Sequence, residues 1–513
     1  MIDIFWRHDM SAWKKKNLVI GIIFILVIVS FMTANSKVIK QKENDAYTLE
    51  NNLENCNIRP LLHLQEEWER TFGRSDDDFS RCVKQTRDGG YILVGSSWAK
   101  ESGYDGLVVK VDEHGNEMWH KYFGGGKYTT EDLQWIEETS DGNYIITGYN
   151  ERGGGLWLIK IDAQGNMIWD KIYRGEKEGI QVCQTADGGY FVVGVIEEGD
   201  FFTGYLLKTD SNGNKEWEKT LWRNLPDIWP LSPICGQQTD DGGFIIGGTE
   251  FVNDKAYIFL IKTDEEGREI WNKTFQKGEA TFGICLQQTT DGGYVISGVV
   301  ANLEGTFSDA LLIKTNENGD EIWSQTYEEW GDTIACYVEQ AIDGGYIAVG
   351  STDYGRTYGK VWLFKTGANG EKIWERTFSS GDEGYCVHQT TDDGYIIVGE
   401  TWINNTNSDI LLIKTMGPPM LEITDVRGGL GISATIKNVG TSDAENIEWS
   451  IDVEGNVFIG QGTGGVIPVI PAGGEAEIGE FVFGIGPAVV TINAEDVSTT
   501  TNCMLLGPFV IIT

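Results

Sequence analysis

A short motif that recurs seven times constrains the fold of this chain more than any other feature of the sequence. One copy is Gln287–Gly298, which reads Gln-Gln-Thr-Thr-Asp-Gly-Gly-Tyr-Val-Ile-Ser-Gly. The aromatic residue of the motif recurs at Tyr91, Tyr144, Tyr190, Phe244, Tyr294, Tyr346 and Tyr395. The mean spacing is about 51 residues, a period that is typical of propellers and solenoid arrays.

Each period contains four short apolar runs and no helical pattern. Around Tyr294 the runs are 283–288, 294–298, 310–315 and 321–327. All four have strand length and are bounded by turn residues. The first two runs are joined by Asp-Gly-Gly, and the last two by Asn-Glu-Asn-Gly, both of hairpin length. Four antiparallel strands per period predict one blade of a β-propeller.

The number of copies predicts seven blades. A lysine in the third run recurs at Lys110, Lys160, Lys208, Lys262, Lys314, Lys365 and Lys414. A tryptophan in the fourth run follows only six of these, at Trp119, Trp169, Trp217, Trp271, Trp323 and Trp374. The segment 68–72, Trp-Glu-Arg-Thr-Phe, is identical to 374–378 and precedes the first full copy. We therefore expect it to pair with the strand at 411–414 and to close the last blade, which removes an open sheet edge.

The segment before the repeat predicts an anchored, exported protein. Residues 1–16 carry Arg7 and a cluster of three lysines, and an apolar run extends from Leu18 to Ala34. We interpret 17–34 as an uncleaved signal-anchor helix, with 1–16 in the cytoplasm and 35–66 as a linker. A cleaved signal, which would give a secreted protein, is the alternative. In both cases the domains that follow are extracellular, and the anchored form is a single-pass protein of the cell membrane.

The chain after the repeat, 417–513, predicts a second β domain. Leu430, Ile432, Ala434 and Ile436 alternate with polar or small residues, as do the apolar residues between Ile447 and Val453. This period of two is typical of antiparallel strands that cover a core on one side, so the prediction is an Ig-like sandwich. The stretches 436–444 and 470–478 resemble the CARDB-type adhesion-related modules of prokaryotic surface proteins. The propeller itself is expected to occupy 67–416.

The eight cysteines do not read as a disulfide framework. Cys82, Cys235, Cys285 and Cys386 each precede the aspartate of the turn by six residues. Equivalent positions on neighbouring blades are expected to exceed the ~7 Å Cα separation that a disulfide tolerates. We therefore interpret these four as buried apolar residues of the innermost strands. Whether Cys56 and Cys503, which lie outside the repeat, form a disulfide is left open by the sequence.

The charge of the chain restricts the class of partner. The formal net charge is -37 at pH 7, which argues against nucleic acid or anionic lipid as the main partner. The two hairpins that recur with little change from copy to copy are expected at one end of the propeller. The connections that vary between copies then gather at the other end, and variable loops on a rigid scaffold are where binding usually resides. These connections contain interleaved carboxylates, including Glu131 and Asp132, and a set of aromatic residues. The predicted ligand-binding aromatics are Trp98, Tyr104, Tyr128, Trp222, Trp229, Trp330, Tyr354, Tyr358 and Trp402.

Aromatic rings beside carboxylates suit a glycan, a cationic group or a partner protein. The leading hypothesis is thus a cell-surface, membrane-anchored binding or adhesion scaffold that recognises a glycan or protein. The alternative is an exported carbohydrate-active enzyme, a glycosidase or lyase with two carboxylates at the channel mouth. The sequence shows no catalytic motif, no metal-ligand spacing and no cofactor site, so the leading hypothesis treats the protein as a non-enzyme without a cofactor.

The segment 160–169, which reads Lys-Ile-Asp-Ala-Gln-Gly-Asn-Met-Ile-Trp, resembles the tryptophan-docking repeat of quinoprotein propellers. In that family the tryptophan packs between blades, and active members bind a quinone with calcium, commonly on eight blades. Seven blades and the lack of an adjacent-cysteine pair separate this chain from the catalytic members, so no cofactor is implied. The whole unit more closely resembles uncharacterised repeats of archaeal and bacterial surface proteins, a family that implies the fold and no chemistry.

Overall fold

The computed structural model describes residues 66–74, 77–99, 103–124, 126, 128–198, 201–221, 228–252, 255–302, 308–328, 331–352, 359–404, 407–417, 419–495 and 497–513. Within these ranges the chain is all-β, with 36 strands. No helix in the described part of the chain has the length and apolar character to cross a bilayer. The predicted segments 1–16 and 17–34 and nearly all of the 35–66 linker lie outside these ranges.

The first 28 strands form sheets whose repeating unit is four antiparallel strands. Strand β1 (Glu66–Phe72) precedes the first unit. The first unit contains β2 (Asp78–Gln85), β3 (Tyr91–Ala99), β4 (Gly103–Val111) and β5 (Glu117–Phe123). The second unit contains β6 (Thr129–Glu138), β7 (Tyr144–Asn150), β8 (Gly155–Ile161) and β9 (Met167–Arg174). A short parallel pairing between β4 and β6 joins these two units into one eight-stranded sheet.

The next four units form separate four-stranded sheets. The third contains β10 (Lys177–Gln184), β11 (Tyr190–Glu198), β12 (Phe201–Thr209) and β13 (Lys215–Leu221). The fourth contains β14 (Ile228–Gln238), β15 (Phe244–Val252), β16 (Lys255–Thr263) and β17 (Glu269–Phe275). The fifth contains β18 (Ala280–Gln288), β19 (Tyr294–Ala301), β20 (Ser308–Thr315) and β21 (Glu321–Tyr327). The sixth contains β22 (Thr333–Gln340), β23 (Tyr346–Thr352), β24 (Lys360–Thr366) and β25 (Lys372–Phe378).

The last sheet takes its fourth strand from the other end of the repeat. It contains β26 (Glu383–Gln389), β27 (Tyr395–Asn404) and β28 (Asn407–Thr415), in the order β1-β28-β27-β26. Strand β1 therefore lies beside β28, as the match between 68–72 and 374–378 predicted. The Glu67 carboxylate lies 3.2 Å from the ammonium of Lys414 on β28, which adds an ion pair to this closing contact.

The Asp-Gly-Gly hairpin has a compact structure that explains why its residues recur. In the fifth unit Gly292 has φ +80°, a conformation that glycine adopts without strain. The Asp291 carboxylate accepts hydrogen bonds from the Thr289 hydroxyl (2.5 Å) and the Gly293 amide (3.0 Å). A Cβ added to Gly293 would lie 2.1 Å from the Thr315 carbonyl oxygen and 2.5 Å from Lys314 Nζ. The second glycine is therefore needed for space, and the first for its backbone angle.

The repeated lysine of the third strand is the buried counterion of this turn. Lys314 is 3% exposed, and its ammonium lies 2.9 Å from Asp291 and donates a hydrogen bond to the Thr315 carbonyl at 2.7 Å. The lysine and aspartate of each unit form the same pair at 2.6 to 3.0 Å, namely Lys110–Asp88, Lys160–Asp141, Lys208–Asp187, Lys262–Asp241, Lys314–Asp291, Lys365–Asp343 and Lys414–Asp392. This pairing of the two repeated residues is a finding of the structure.

The repeated tryptophan packs on the following unit. Trp271 on β17 lies against Tyr294 of the fifth unit, with ring centroids 6.1 Å apart, and over Gly319 in the turn between β20 and β21. Trp119, Trp169, Trp217 and Trp323 contact the equivalent glycine of their following units. The apolar core between the fourth and fifth units contains residues of both, including Leu260 and Leu311. Tryptophan packing between units, which the sequence predicted, is therefore present.

The C-terminal strands form two sheets around a core of their own. One sheet has the order β29-β30-β33 and the other β32-β31-β34-β35-β36. The strands are β29 (Leu421–Gly429), β30 (Gly431–Asn438), β31 (Ala444–Ile459), β32 (Gly462–Ile470), β33 (Glu475–Glu480), β34 (Phe483–Ala494), β35 (Val497–Gly507) and β36 (Phe509–Ile512). Ile432, Ala434 and Ile436 are buried in this core, as the alternation predicted. Leu430 is 71% exposed, because it lies in the tight turn between Gly429 and Gly431 and not within a strand.

Candidate binding site at one end of the channel

The first strand of each unit lines a central channel. Strands β2, β6, β10, β14, β18 and β22 lie beside one another in this order. Strand β26 contacts β22 through His388 and Glu339, whose Nδ1 and Oε2 lie 2.6 Å apart. It contacts β2 through the Cys386 thiol, which points to the Val83 carbonyl at 3.8 Å. The space that these strands enclose is called the channel below.

A β-bulge recurs in these first strands and determines which side chains enter the channel. The register shifts between Ser80 and Cys82 in β2 and between Leu133 and Trp135 in β6, so Arg81 and Gln134 are the extra residues. Equivalent shifts occur in β10, β14, β18 and β22. A bulge redirects a side chain and is common beside functional sites. The bulge turns the side chains of two polar residues, Arg81 and Gln134, away from the direction that they would have in a regular strand.

Two carboxylates from neighbouring units meet at Gln134. Its Nε2 donates to Asp132 Oδ2 at 2.6 Å and to Glu178 Oε1 at 3.0 Å. Asp132 also accepts a short hydrogen bond from the Ser96 hydroxyl. The first strand of each unit ends at the Asp-Gly-Gly turn. Asp132 and Glu178 lie near the beginning of their first strands, so they are at the other end of the channel from these turns. This is the end at which the variable connections gather.

A second pair of carboxylates faces Arg81. The Arg81 guanidinium lies 5.1 Å from the centre of the Tyr385 ring, and the Tyr385 hydroxyl donates to Glu383 Oε2 at 2.8 Å. Glu400 on β27 is 5% exposed and lies near Glu383 and Arg81. Arg81 also interacts with Asp132. We call Arg81, Asp132, Glu178, Glu383 and Glu400 the acidic mouth, in which one cation faces four carboxyl groups.

Enclosure and mutual repulsion change the ionisation of these carboxyl groups. Burial, with the nearby charge of Asp132, raises the pKa of Glu178 to about 7. Burial, with the charge of Glu383, raises the pKa of Glu400 to about 8. Both groups therefore exchange protons near neutral pH, and an incoming cationic group would favour their ionised forms. Carboxyl groups with such raised pKa values in a concave site are typical of functional sites.

Aromatic rings cross the channel between the acidic mouth and the Asp-Gly-Gly end. The ring of Trp135 stacks on that of Tyr337, with centroids 6.1 Å apart, and Tyr337 meets His388 edge-on at 5.2 Å. The ammonium of Lys84 lies 4.9 Å from the centre of the Trp135 ring. These side chains come from β2, β6, β22 and β26, so they narrow the channel from several sides. We call these rings the aromatic floor, because they separate the acidic mouth from the Asp-Gly-Gly end.

A second polar cluster lies beside this floor. The His388 Nε2 lies 3.5 Å from the Cys386 thiol, and its Nδ1 contacts Glu339. The Cys82 thiol on β2 points to the Ile136 carbonyl at 3.6 Å, and the Cys82 and Cys386 thiols lie 3.9 and 3.8 Å from the Val83 carbonyl. Cys82 and Cys386 therefore lie on neighbouring strands at the junction of the last and the first unit, and the Cys386 thiol reaches a backbone carbonyl of β2.

The remaining predicted cysteine positions agree with the structure. Cys82, Cys235, Cys285 and Cys386 are all buried in first strands. Cys503 is buried in the core of the C-terminal sheets, and Cys56 lies outside the described residues. In the part of the chain that the structure describes, no group of three or more His, Cys, Asp or Glu side chains is arranged to hold a metal ion.

Two of the predicted aromatic residues lie beside the acidic mouth. Tyr104 packs against Phe79, with centroids 5.8 Å apart, and burial and the charges of Asp77 and Asp132 raise its pKa. Trp402 is 47% exposed, and its amide donates to the Asp382 carboxylate at 2.8 Å. Trp402 is two residues after Glu400 on β27, so both side chains leave the strand on the same face.

The other predicted aromatics lie elsewhere or outside the described residues. Trp98 pairs with Tyr104 across β3 and β4 and is half-buried. Tyr128 is 60% exposed with φ +61°. Trp229 lies in β14, and its side chain is outside the described part. Trp222, Trp330, Tyr354 and Tyr358 all fall outside the described residues.

Sequence reasoning missed Arg81, Glu178, Glu383 and Glu400, together with the cluster around His388. A signal was present, because the residue four positions before the aspartate of the turn is Lys84, Glu137, Glu339 or His388 in four of the copies. Charged residues at equivalent positions of strands that are otherwise apolar indicate a common polar surface, which in a propeller is the channel.

Successive four-stranded sheets that pack face to face, with their first strands around a common channel, define the β-propeller class of fold. No protein-family model and no curated protein matches the sequence. Among solved structures, Sqt1 from Chaetomium thermophilum is similar at 9% identity, over 88% of this chain and 98% of that chain, with a TM-score of 0.42. YCF48 bound to D1 peptide is similar at 8% identity, over 70% and 98%, with a TM-score of 0.41. A GH43 β-1,3-galactosidase with galactodeoxynojirimycin is similar at 9% identity, over 51% and 93%, with a TM-score of 0.30.

Proposed function

We propose that this chain is an exported, membrane-anchored binding protein that takes a cationic group of a protein or glycan ligand into the acidic mouth. The observation that carries the proposal is the convergence of Asp132, Glu178, Glu383 and Glu400 around Arg81 at the variable end of the channel. A ligand ammonium or guanidinium would form charge-assisted hydrogen bonds with these carboxylates. Tyr104 and Trp402 add aromatic faces that favour the same kind of group.

The proposed architecture has seven blades. The contacts from β2 through β22, together with those of Cys386 and His388, support a closed series of seven first strands. The pairing of β1 with β28 supports closure at the outer edge. The C-terminal pair of sheets with one shared core supports an Ig-like sandwich, which we propose to be a spacer or second contact. The basic cluster and apolar run of residues 14–34 support the anchor.

Binding to immobilised ligands tests the proposal. The full chain in mild detergent, applied to glycan and peptide arrays, is expected to retain a subset that carries amino or guanidino groups. Glu178→Gln and Glu383→Gln are each expected to weaken retention roughly 10- to 100-fold, since the loss of one charge-assisted hydrogen bond removes roughly 1.5–3 kcal/mol. Glu113→Gln is the matched control, because the Glu113 side chain is 69% exposed on a hairpin turn.

Retention of no cationic ligand, or equal retention by Glu113→Gln and Glu178→Gln proteins, would contradict the proposal. Export is tested separately in membranes of producing cells. Protease added outside is expected to cut the chain after residue 35, and protection from that protease would refute the orientation.

One observation favours a second candidate, a carbohydrate-active enzyme. Asp132 and Glu178 share one donor, and burial raises the pKa of Glu178 to about 7, which suits a general acid. Retaining glycosidases hold two carboxyl groups ~5 Å apart, and the Asp132 and Glu178 carboxyl groups lie 2.6 and 3.0 Å from one amide nitrogen. Released sugar from array glycans, abolished in Glu178→Gln, would favour this function, and binding without released sugar would favour the binding protein.

A further inference from the structure

The seam between the last and the first unit contains a thiol pair that neither the repeat nor the acidic mouth explains. Cys82 on β2 and Cys386 on β26 are both 0% exposed and both carry free thiols. Their Sγ atoms lie 3.9 and 3.8 Å from the same oxygen, the Val83 carbonyl. The two thiols therefore point to one place in the seam from neighbouring strands.

A base is positioned at the same place. His388 Nε2 lies 3.5 Å from the Cys386 thiol, and His388 Nδ1 lies 2.6 Å from Glu339 Oε2. A carboxylate at Nδ1 holds the imidazole in the orientation in which Nε2 can accept a proton from a thiol. Both the His388 and Glu339 side chains are 12% exposed, so the channel connects this cluster with solvent. Lys84 and Glu137 complete the charged surroundings.

We propose that Cys82 and Cys386 form a peroxide-oxidisable pair whose disulfide locks the propeller closed. Hydrogen peroxide is small enough to enter a narrow channel. His388 accepts the proton of the Cys386 thiol beside it, and the thiolate sulfur attacks one peroxide oxygen. The O–O bond breaks to give a sulfenic acid on Cys386 and a hydroxide, which takes that proton back from His388 and leaves as water. The Cys82 sulfur then attacks the Cys386 sulfur, the S–O bond breaks, and the departing hydroxide takes the Cys82 proton and leaves as a second water. Two thiols are oxidised and one peroxide is reduced to two waters.

The charges around the thiol pair favour its ionisation. Burial acts to raise the pKa of both thiols, and the charge of Lys84 acts to lower the pKa of both. A thiol that lies beside a base and next to a second, resolving thiol is typical of cysteines that oxidise reversibly.

The chain supplies a matched control. Cys235 and Cys285 occupy the same position on the neighbouring strands β14 and β18. Their thiols point to two different carbonyls, those of Gly247 at 3.7 Å and Val338 at 3.9 Å. Burial raises the pKa of both, so this pair is expected to stay reduced at the same peroxide dose.

The test uses the full chain in mild detergent, treated with limited hydrogen peroxide, then denatured, alkylated and analysed by mass spectrometry. The expected product is a Cys82–Cys386 cross-linked peptide, with Cys235 and Cys285 alkylated. His388→Gln is expected to slow its formation at least tenfold, since a positioned base contributes at least that much. Thermal unfolding of the oxidised protein is expected to shift upwards, because a cross-link between distant residues restricts the unfolded chain, and dithiothreitol should reverse the shift.

Three outcomes would overturn the proposal. These are alkylation of both Cys82 and Cys386 after peroxide treatment, oxidation that stops at a single cysteine, and a cross-link of Cys235 to Cys285 at an equal rate. Cys386→Ser and Cys285→Ser proteins keep the test independent of folding. Each has its unfolding temperature measured in the reduced state, and only Cys386→Ser is expected to lose the upward shift.

Discussion

Two adjacent glycines in the fifth unit provide a sharp test of the turn structure, because alanine at each would fail for a different reason. Gly292 has φ +80°, and the nearest atom to an added Cβ is Glu317 Cβ at 3.9 Å. Gly292→Ala therefore adds only backbone strain, about 1–2 kcal/mol. At Gly293 the added Cβ would lie 2.1 Å from the Thr315 carbonyl oxygen and 2.5 Å from Lys314 Nζ.

Gly293→Ala is expected to cost about 3–4 kcal/mol. Overpacking accounts for 1–3 kcal/mol, and displacement of the buried Lys314 ammonium from its hydrogen bonds for about 1–2 kcal/mol more. The second unit shows one way to relieve such crowding, since Asn143 stands at the equivalent position and the Lys160 side chain is 10% exposed, against 4% for Lys314. The two substitutions should therefore differ by about 2 kcal/mol.

Native-state hydrogen exchange, measured by mass spectrometry, reports this difference locally. Amides of 294–301 and 308–315 are expected to exchange roughly 30-fold faster in the Gly293→Ala protein than in the Gly292→Ala protein, the ratio that 2 kcal/mol corresponds to. Peptides of the second unit serve as an internal control and should exchange alike in both. Equal exchange in the fifth unit, or faster exchange in Gly292→Ala, would refute the role assigned to Lys314.

Two further predictions follow from packing and charge. Trp271→Ala is expected to lower the free energy of unfolding, measured by urea titration, by about 3 kcal/mol, since it removes the contact with Tyr294 and Gly319. Ile270→Ala changes a neighbouring side chain that is 58% exposed, so it should cost under about 0.5 kcal/mol. Similar losses in the two variants would contradict packing between units. The stability of the wild-type protein is expected to fall as pH rises from about 4.5 to about 8, because the pKa values of Glu178 and Glu400 are raised in the folded state and ionisation there is unfavourable. A Glu178→Gln/Glu400→Gln double variant should show a flatter profile by urea titration, and an unchanged slope would argue against burial of these carboxyl groups.

The sequence predicted the repeating strands well because the repeat imposes local signals in every copy. Alternating apolar runs, the glycine that needs a positive φ and the tryptophan of the fourth strand are each visible without knowledge of partners. The position of β1 beside β28 was also predictable, since 68–72 duplicates 374–378. These features are encoded within one or two strands.

The acidic mouth could not be predicted in the same way. Arg81 and Gln134 face the channel because of a β-bulge, which depends on the pairing register with β3 and β7 rather than on residue type. The sharing of Gln134 by Asp132 and Glu178 depends on which units are neighbours. The contact of the Cys386 thiol with the Val83 carbonyl depends on closure of the series, which brings together residues from opposite ends of the repeat.

Closure of the propeller by β1 is the claim on which the channel and its mouth depend, and a zero-length cross-link tests it most directly. Glu67 Oε2 lies 3.2 Å from Lys414 Nζ. Carbodiimide treatment of the full chain, followed by mass spectrometry, is expected to yield an amide between Glu67 and Lys414. The Asp187–Lys208 pair, at 2.8 Å within the third unit, is the positive control. Cross-linking of the control pair while Glu67 joins only other lysines, or none, would contradict the closure.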